Sequence, residues 1–218
     1  MEAYGYWLMS GIGVAVSFAL CLILCKLKKA NFKNILLFLP IATLFGFIGA
    51  KLFGILSYSL FLLVSRQGFG DVLKNSGWVF YGGMFGFLIT RYLFKKELKN
   101  KEKDIIICAF TLFHSIARIG CYFAGCCYGE KIAVQLLESG LVFLIFILLI
   151  LLFIKGKQNL IPIYLISYAF VRFITEFYRA DIIRGVYILS FSQWVSIILV
   201  LVVIFKFLRG KKNAKNRF

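Results

Sequence analysis

The feature that most limits what this chain can fold into is a series of apolar runs near twenty residues long, separated by short clusters of lysine and arginine. About twenty apolar residues in a helix cross the roughly 30 Å hydrocarbon core of a bilayer, since each residue advances about 1.5 Å. A transmembrane β-barrel would instead show segments of about ten residues with alternating polarity, and the chain has none. Hydrophobic residues make up 61% of the 218 and charged ones only 16%, against about 45–50% and about 25% in soluble domains. The chain therefore reads as all-α, a polytopic helical membrane protein.

Seven spans fit, near residues 6–25, 35–55, 78–94, 105–123, 132–154, 160–177 and 187–207. The net charge of +17 is compatible with this reading because the basic residues are bunched. Of 26, 18 lie at Lys26/Lys28/Lys29/Lys33, from Arg91 through Lys103, at Lys155/Lys157, and from Lys206 to Arg217. Alternating seven spans places all four clusters on one side and leaves only Arg66, Lys74, Lys131 and Arg184 for the other. Cytoplasmic loops carry such an excess, so the expected topology has the N-terminus outside and the C-terminus cytoplasmic. Anionic membrane lipids are a sufficient partner for these clusters. A nucleic-acid partner is not expected, since no basic, aromatic-interleaved domain lies outside the membrane.

Glu2 precedes the first apolar run without a basic flank, so that run is expected to be a retained helix rather than a cleaved signal. Residues 35–64 are nearly all apolar and too long for one upright span; the span is expected to end near Phe53, with 54–64 lying partly in the interface. The loop 65–77, with Gly68, Gly70 and Gly77, is expected to be mobile. Residues 1–209 read as a single transmembrane domain and 210–218 as a basic, disordered cytoplasmic tail.

The other four basic residues are Lys51, Arg118 and Arg172 inside spans and Arg179 just past the end of one, joined by His114 and Glu176. A charge at a helix centre costs roughly 2.5–3.5 kcal/mol on insertion scales, so such residues face the bundle interior and mark function by default. Arg172, Glu176 and Arg179 stand at i, i+4 and i+7, which predicts one shared helix face. His114 and Arg118 are likewise four apart. Glu176 can neutralise one arginine of its trio, and the surplus positive charge suggests an anionic ligand. The planar fork of arginine suits phosphate. Interhelical ion pairs that only hold the bundle are the competing reading.

The stretch from His114 to Glu130 contains Gly120, Gly125 and Gly129, which fit a helix ending in a tight loop. Cys121, Cys126 and Cys127 lie in it, at a spacing that matches no standard metal pattern. No metal and no cofactor are expected, and a disulfide in the loop is left open. Cys21, Cys25 and Cys108 read as small apolar fillers. Tyr81-Gly82-Gly83-Met84-Phe85-Gly86 suits helix–helix contact or backbone approach to a ligand about equally.

Taken in order, these motifs resemble the prolipoprotein diacylglyceryl transferase family. Tyr4-Gly5 looks like the family's Tyr-Gly start, and Gly49-Ala50-Lys51-Leu52 is similar to its Gly-Ala-Arg-Leu. Tyr81-Gly82-Gly83-Met84 stands for His-Gly-Gly-Leu, and Arg118-Ile119-Gly120 for the start of its Gly-Arg-x-Gly-Asn signature. Gln135-Leu136-Leu137-Glu138 is similar to Gln-Leu-Tyr-Glu. The run from Arg172 to Arg179 matches Arg-Phe-x-x-Glu-Phe-x-Arg, and Ser192-Gln193-Trp194 fits the start of the last span. The departures are Tyr81 in place of a histidine, and Cys121 and Ala124 in place of asparagines.

The resemblance implies a bacterial inner-membrane, multi-pass enzyme of lipoprotein biosynthesis. Such an enzyme transfers a diacylglyceryl group from phosphatidylglycerol to the lipobox cysteine of a prolipoprotein and forms a thioether. The residues implied for catalysis are Arg118, Arg172 and Tyr81, with His114 as a candidate base, although nearby arginines could instead favour a thiolate directly. Those implied for substrate binding are Tyr4, Lys51, Gly82, Gly83, Gly120, Gln135, Glu138, Glu176 and Arg179. Two other functions compete: a related phospholipid-dependent transferase with a different thiol or other acceptor, and a non-enzymatic lipid or anion transporter. A transporter would more naturally show broken helices or paired halves.

Overall fold

A computed structural model describes residues 2–65, 79–180, 185–186 and 188–215. Among them, seven α-helices follow in chain order: α1 Glu2–Lys28, α2 Phe32–Ser65, α3 Phe80–Leu93, α4 Asn100–Phe123, α5 Val134–Ile154, α6 Ile161–Thr175 and α7 Phe191–Lys215. A single 3₁₀ turn, Glu176–Tyr178, extends α6, and two short strands, β1 Gly185–Val186 and β2 Leu189–Ser190, pair antiparallel before α7. The protein is an all-α polytopic membrane protein. Five helices are long and apolar enough to cross a bilayer, over Tyr4–Lys28, Phe32–Leu56, Asn100–Phe123, Val134–Ile154 and Phe191–Arg209. The other two, α3 with 14 residues and α6 with 15, are shorter than the expected spans.

Helix ends follow from local chemistry. Three helices close with a left-handed residue that lets the following N–H reach back five positions. Lys29 (φ 49°) turns α1 so that Ala30 N–H donates to the Cys25 carbonyl at 3.0 Å. Gly125 (φ 62°) turns α4 so that Cys126 N–H donates to the Cys121 carbonyl at 3.3 Å, as the glycine pattern predicted. Gly156 (φ 80°) does the same for α5 through Lys157 and Leu152. The start of α6 is capped from α4: the Asp104 carboxylate accepts from the Asn159 and Leu160 amides at 3.1 and 2.8 Å.

Several boundaries differ from the sequence reading. α2 runs on past Gly54 as one helix of 34 residues, because no helix breaker lies between Gly54 and Ser65. The last span starts at Phe191 rather than 187, since residues 189–190 are spent in β2. α6 stops at Thr175, two residues short of the expected end, where the backbone tightens into the 3₁₀ turn. α7 continues through Lys215, so the first residues of the basic tail are helical. The expected mobile loop with Gly68, Gly70 and Gly77, the outer cations Arg66, Lys74 and Arg184, and residues 216–218 lie outside the described residues.

The chain packs as two compact units. One comprises Met1–Ile23, Lys103–Asp181 and Ser192–Phe218; the other comprises Leu24–Glu102 and Ile182–Phe191. In the second unit α2 and α3 meet backbone to backbone. A Cβ on Gly82 would run into the Gly49 carbonyl, and one on Gly86 into the Phe45 carbonyl. The apolar filling beside this seam is aromatic, with Phe38 edge-on to Phe87 at 5.5 Å and Phe53 stacked on Phe85 at 5.2 Å. In the first unit Ser115 of α4 donates to the Ser139 carbonyl of α5 at 3.0 Å, and Ser139 donates to the Ser115 carbonyl at 2.8 Å. Small hydroxyl residues exchanging such bonds let two apolar helices approach closely. Cys21, Cys25 and Cys108 are buried, as fillers should be.

Candidate functional site

Within the first unit, α4, α5 and α6 bring charged side chains together near one end of the bundle. Arg118 lies five residues before the end of α4, Glu138 four residues after the start of α5, and Arg172 three residues before the end of α6. At about 1.5 Å per residue, all three sit about 5–8 Å inside those helix ends. Their side chains form one continuous chain of ion pairs. Arg118 Nη2 meets Glu138 Oε1 at 2.9 Å, and Glu138 Oε2 meets Arg172 Nη1 at 3.3 Å. Arg172 Nη2 then meets Glu176 Oε2 at 2.6 Å, and Arg179 Nη1 approaches the same oxygen at 3.8 Å. Arg118, Glu138, Arg172 and Glu176 are all buried.

Among the described residues, three arginines share two carboxylates in this chain. Buried ions repay their desolvation only with near-ideal geometry and further hydrogen bonds. Here α6 supplies such a bond through Tyr168, whose hydroxyl donates to Glu138 Oε1 at 3.1 Å and accepts from Arg118 Nη2 at 3.4 Å. Ser192, at the start of α7, accepts from Arg172 Nη2 at 3.4 Å. Gln193 beside it donates to the Phe173 carbonyl at 3.3 Å, which ties α7 to the end of α6.

The sequence reading put Arg172, Glu176 and Arg179 on one face and Arg118 with His114 on another span, and it drew no pairing between the two sets. Arg118 and Arg172 are not unpaired, because Glu138 reaches both. Arg179 does not continue the helix face of Arg172 and Glu176. Its backbone is extended after the 3₁₀ turn, and it meets Glu176 from three residues away. Tyr164 and Tyr168 were missed. Their signal was available, since Tyr164, Tyr168, Arg172 and Glu176 recur every four residues and so line one face. The two tyrosine rings stack in parallel, 5.9 Å apart.

His114 packs behind this chain, with Nδ1 3.0 Å from the Tyr164 hydroxyl and its ring edge-on to Tyr168 at 4.7 Å. Gln135 is buried and donates to the Cys126 carbonyl at 2.7 Å, pinning the loop after α4. Gly120 packs against Tyr6 and Met9 of α1, while Tyr4 is exposed. Lys51, Tyr81, Gly82 and Gly83 belong to the second unit. There Tyr81 is buried, Lys51 is half-buried, and Gly82 is accounted for by its contact with α2.

The loop after α4 gathers its cysteines. The thiol sulfurs of Cys121, Cys126 and Cys127 all lie within 4.8 Å of one another, and none is in a disulfide. Hydrogen bonds from Cys121 and Cys126, with Arg179 and Arg118 adding attraction, push the Cys127 thiol well below its ordinary range. The Cys126 thiol is pushed up in turn, because its proton is held by the bonds to Cys121 and Cys127.

A family model for prolipoprotein diacylglyceryl transferase matches residues 1–209, the whole span that carries this geometry. The chain belongs to the prolipoprotein diacylglyceryl transferase family. Among relatives in this family, a phosphatidylglycerol–prolipoprotein diacylglyceryl transferase of Clostridium tetani is 28% identical over 239 residues, covering 95% of this chain and 93% of the relative. A second, from Clostridium perfringens, is 26% identical over 235 residues, covering 92% and 88%. A third, from Helicobacter pylori, is 31% identical over 175 residues, covering 67% and 62%. The arginine–glutamate chain thus lies inside the part of the molecule shared with the transferase family.

Proposed function

We propose that the protein transfers a diacylglyceryl group from phosphatidylglycerol to the lipobox cysteine of a prolipoprotein in the bacterial cytoplasmic membrane. The observation that carries this reading is the buried, arginine-rich chain Arg118–Glu138–Arg172–Glu176–Arg179. A phospholipid keeps its phosphate near the membrane surface and its acyl chains in the core. Arginine forks about 5–8 Å inside the helix ends suit such a phosphate, and the names of the relatives support phosphatidylglycerol as the lipid. The N-terminus outside and the C-terminus inside, as the basic clusters suggest, would set this end of the bundle at the outer leaflet.

In the reaction, the acceptor sulfur attacks the glyceryl carbon that bears the phosphate oxygen. A C–S bond forms, the C–O bond breaks, and glycerol phosphate leaves with the electron pair while the thiol proton passes to a base. Arg118 and Arg172 hold the phosphate and stabilise the charge that grows on the leaving oxygen. Glu138 and Tyr168 fix the two guanidinium planes for this task, and Glu176 with Arg179 steers the headgroup. His114 is committed to Tyr164 and packed on Tyr168, so the positive field of Arg118 and Arg172 is assigned the task of favouring the acceptor thiolate. Tyr4, Gly120 and Gln135, all of the first unit, are assigned to shaping the substrate path.

The test is incubation of the purified protein with phosphatidylglycerol and a lipobox peptide. The expected result is a diacylglyceryl mass increase on the peptide that Arg118→Lys and Arg172→Lys lose while the helical signal by circular dichroism stays. No mass increase, or one indifferent to both substitutions, overturns the reading. Release of glycerol phosphate with an unmodified peptide would assign the protein to a different acceptor.

A further inference from the structure

The transferase reaction makes no use of Cys121, Cys126 and Cys127, and the fold nevertheless converges them. Two left-handed residues do this, Gly125 at φ 62° and Cys127 at φ 60°. Glycine takes that conformation freely, whereas a side chain at Cys127 takes it at a cost. The loop is then held from several sides. Gln135 donates to the Cys126 carbonyl at 2.7 Å, Ala180 N–H donates to the Tyr128 carbonyl at 2.8 Å, and Gly129 bridges to Arg179. Cys121 and Cys127 are half-buried, and Cys126 is exposed, so the cluster has an open side.

We propose that Cys121, Cys126 and Cys127 form a three-sulfur binding site for a soft, thiophilic metal cation, with Cu(I) the best match. The sequence spacing argued against a tetrahedral ion, but a planar three-sulfur site needs no fourth ligand. Sulfurs about 2.3 Å from a common ion in one plane stand about 4.0 Å apart. The three thiols here are within 4.8 Å of one another, so binding needs a contraction of less than an ångström. Thiolate donors select Cu(I) over hard cations. Binding exchanges three thiol protons for the ion, leaving a thiolate–copper group of charge −2. It would lie beside Arg118, which stands one helical turn before Cys121. The site is independent of the transferase reading, since its readout is metal binding rather than transfer.

The experiment is an anaerobic titration of the reduced, full-length protein in detergent micelles with Cu(I), against a chromogenic Cu(I) chelator. One equivalent should be withheld from the chelator, with a sulfur-to-copper absorption band. Cys126→Ser and Cys127→Ser should each lose both signals. Cys126→Ser should do so without a change in circular dichroism, since its side chain is exposed. Cys25→Ser should keep both signals. The proposal fails if the protein withholds no copper, or if the withheld equivalent survives Cys126→Ser. Either outcome leaves the transferase assay to be read on its own.

Discussion

Where α2 meets α3, glycines bring two backbones into contact, with Gly49, Gly82 and Gly86 leaving no room for a Cβ. Where α4, α5 and α6 meet, the contact is made by long charged side chains sharing two carboxylates and a tyrosine hydroxyl. The glycine seam gains close packing along its length, at no electrostatic cost. The charged seam pays desolvation on every ion, offset by the further hydrogen bonds of Tyr168. The contrast favours the charged seam over the glycine seam for the proposed phosphate.

The largest effect should come from removing the carboxylate that joins the charged seam. Glu138→Gln removes the carboxylate that reaches both Arg118 and Arg172, and the loss of a buried partner costs about 3–5 kcal/mol. Thermal unfolding in micelles should show it, and added phosphatidylglycerol should restore part of the loss by supplying the missing negative charge. Failure of an anionic lipid to stabilise this variant more than a zwitterionic one would remove the argument for a phosphate site. Next come Arg118→Lys and Arg172→Lys. They keep the charge but lose the fork, and transfer should drop about 10²–10³-fold. Initial rates with a lipobox peptide measure it.

A change to the glycine seam should act on stability instead of transfer chemistry. Gly86→Ala drives a methyl into the Phe45 carbonyl, and overpacking of this kind costs about 1–3 kcal/mol. Unfolding measurements should register that cost, while KM for phosphatidylglycerol in the folded fraction stays put. Tyr168→Phe removes one hydroxyl from the charged seam and should cost about 1.5–3 kcal/mol, the range for a hydrogen bond to a charged group. The smallest effect is expected from His114→Asn. The ring is committed to Tyr164 and packed on Tyr168, so kcat should fall less than tenfold. A fall of about 10²–10⁴-fold, with loss of the basic limb in the pH profile, would make His114 the base.

Much of the charged seam was legible in the chain. Arg118, Arg172, Glu176 and Arg179 stand out because ions in apolar helices are costly, and their spacing says which can share a face. Glu138 was legible only through the family motif, since one acid near the start of a span is unremarkable by itself. Tyr164 and Tyr168 were readable in principle from their four-residue step toward Arg172. Their roles were not, because a tyrosine in a span is equally at home against lipid headgroups.

The sequence by itself determined that the protein is helical and membrane-spanning, because backbone groups in hydrocarbon must be satisfied within each segment. It also determined that several charges must face inward, because lipid cannot solvate them. Only the tertiary structure decided that Glu138 joins two arginines, that Arg179 leaves the helix before pairing, and that three cysteines meet. Each of these depends on contacts between different helices or on a few backbone angles in a loop. One-dimensional spacing carries no information about either.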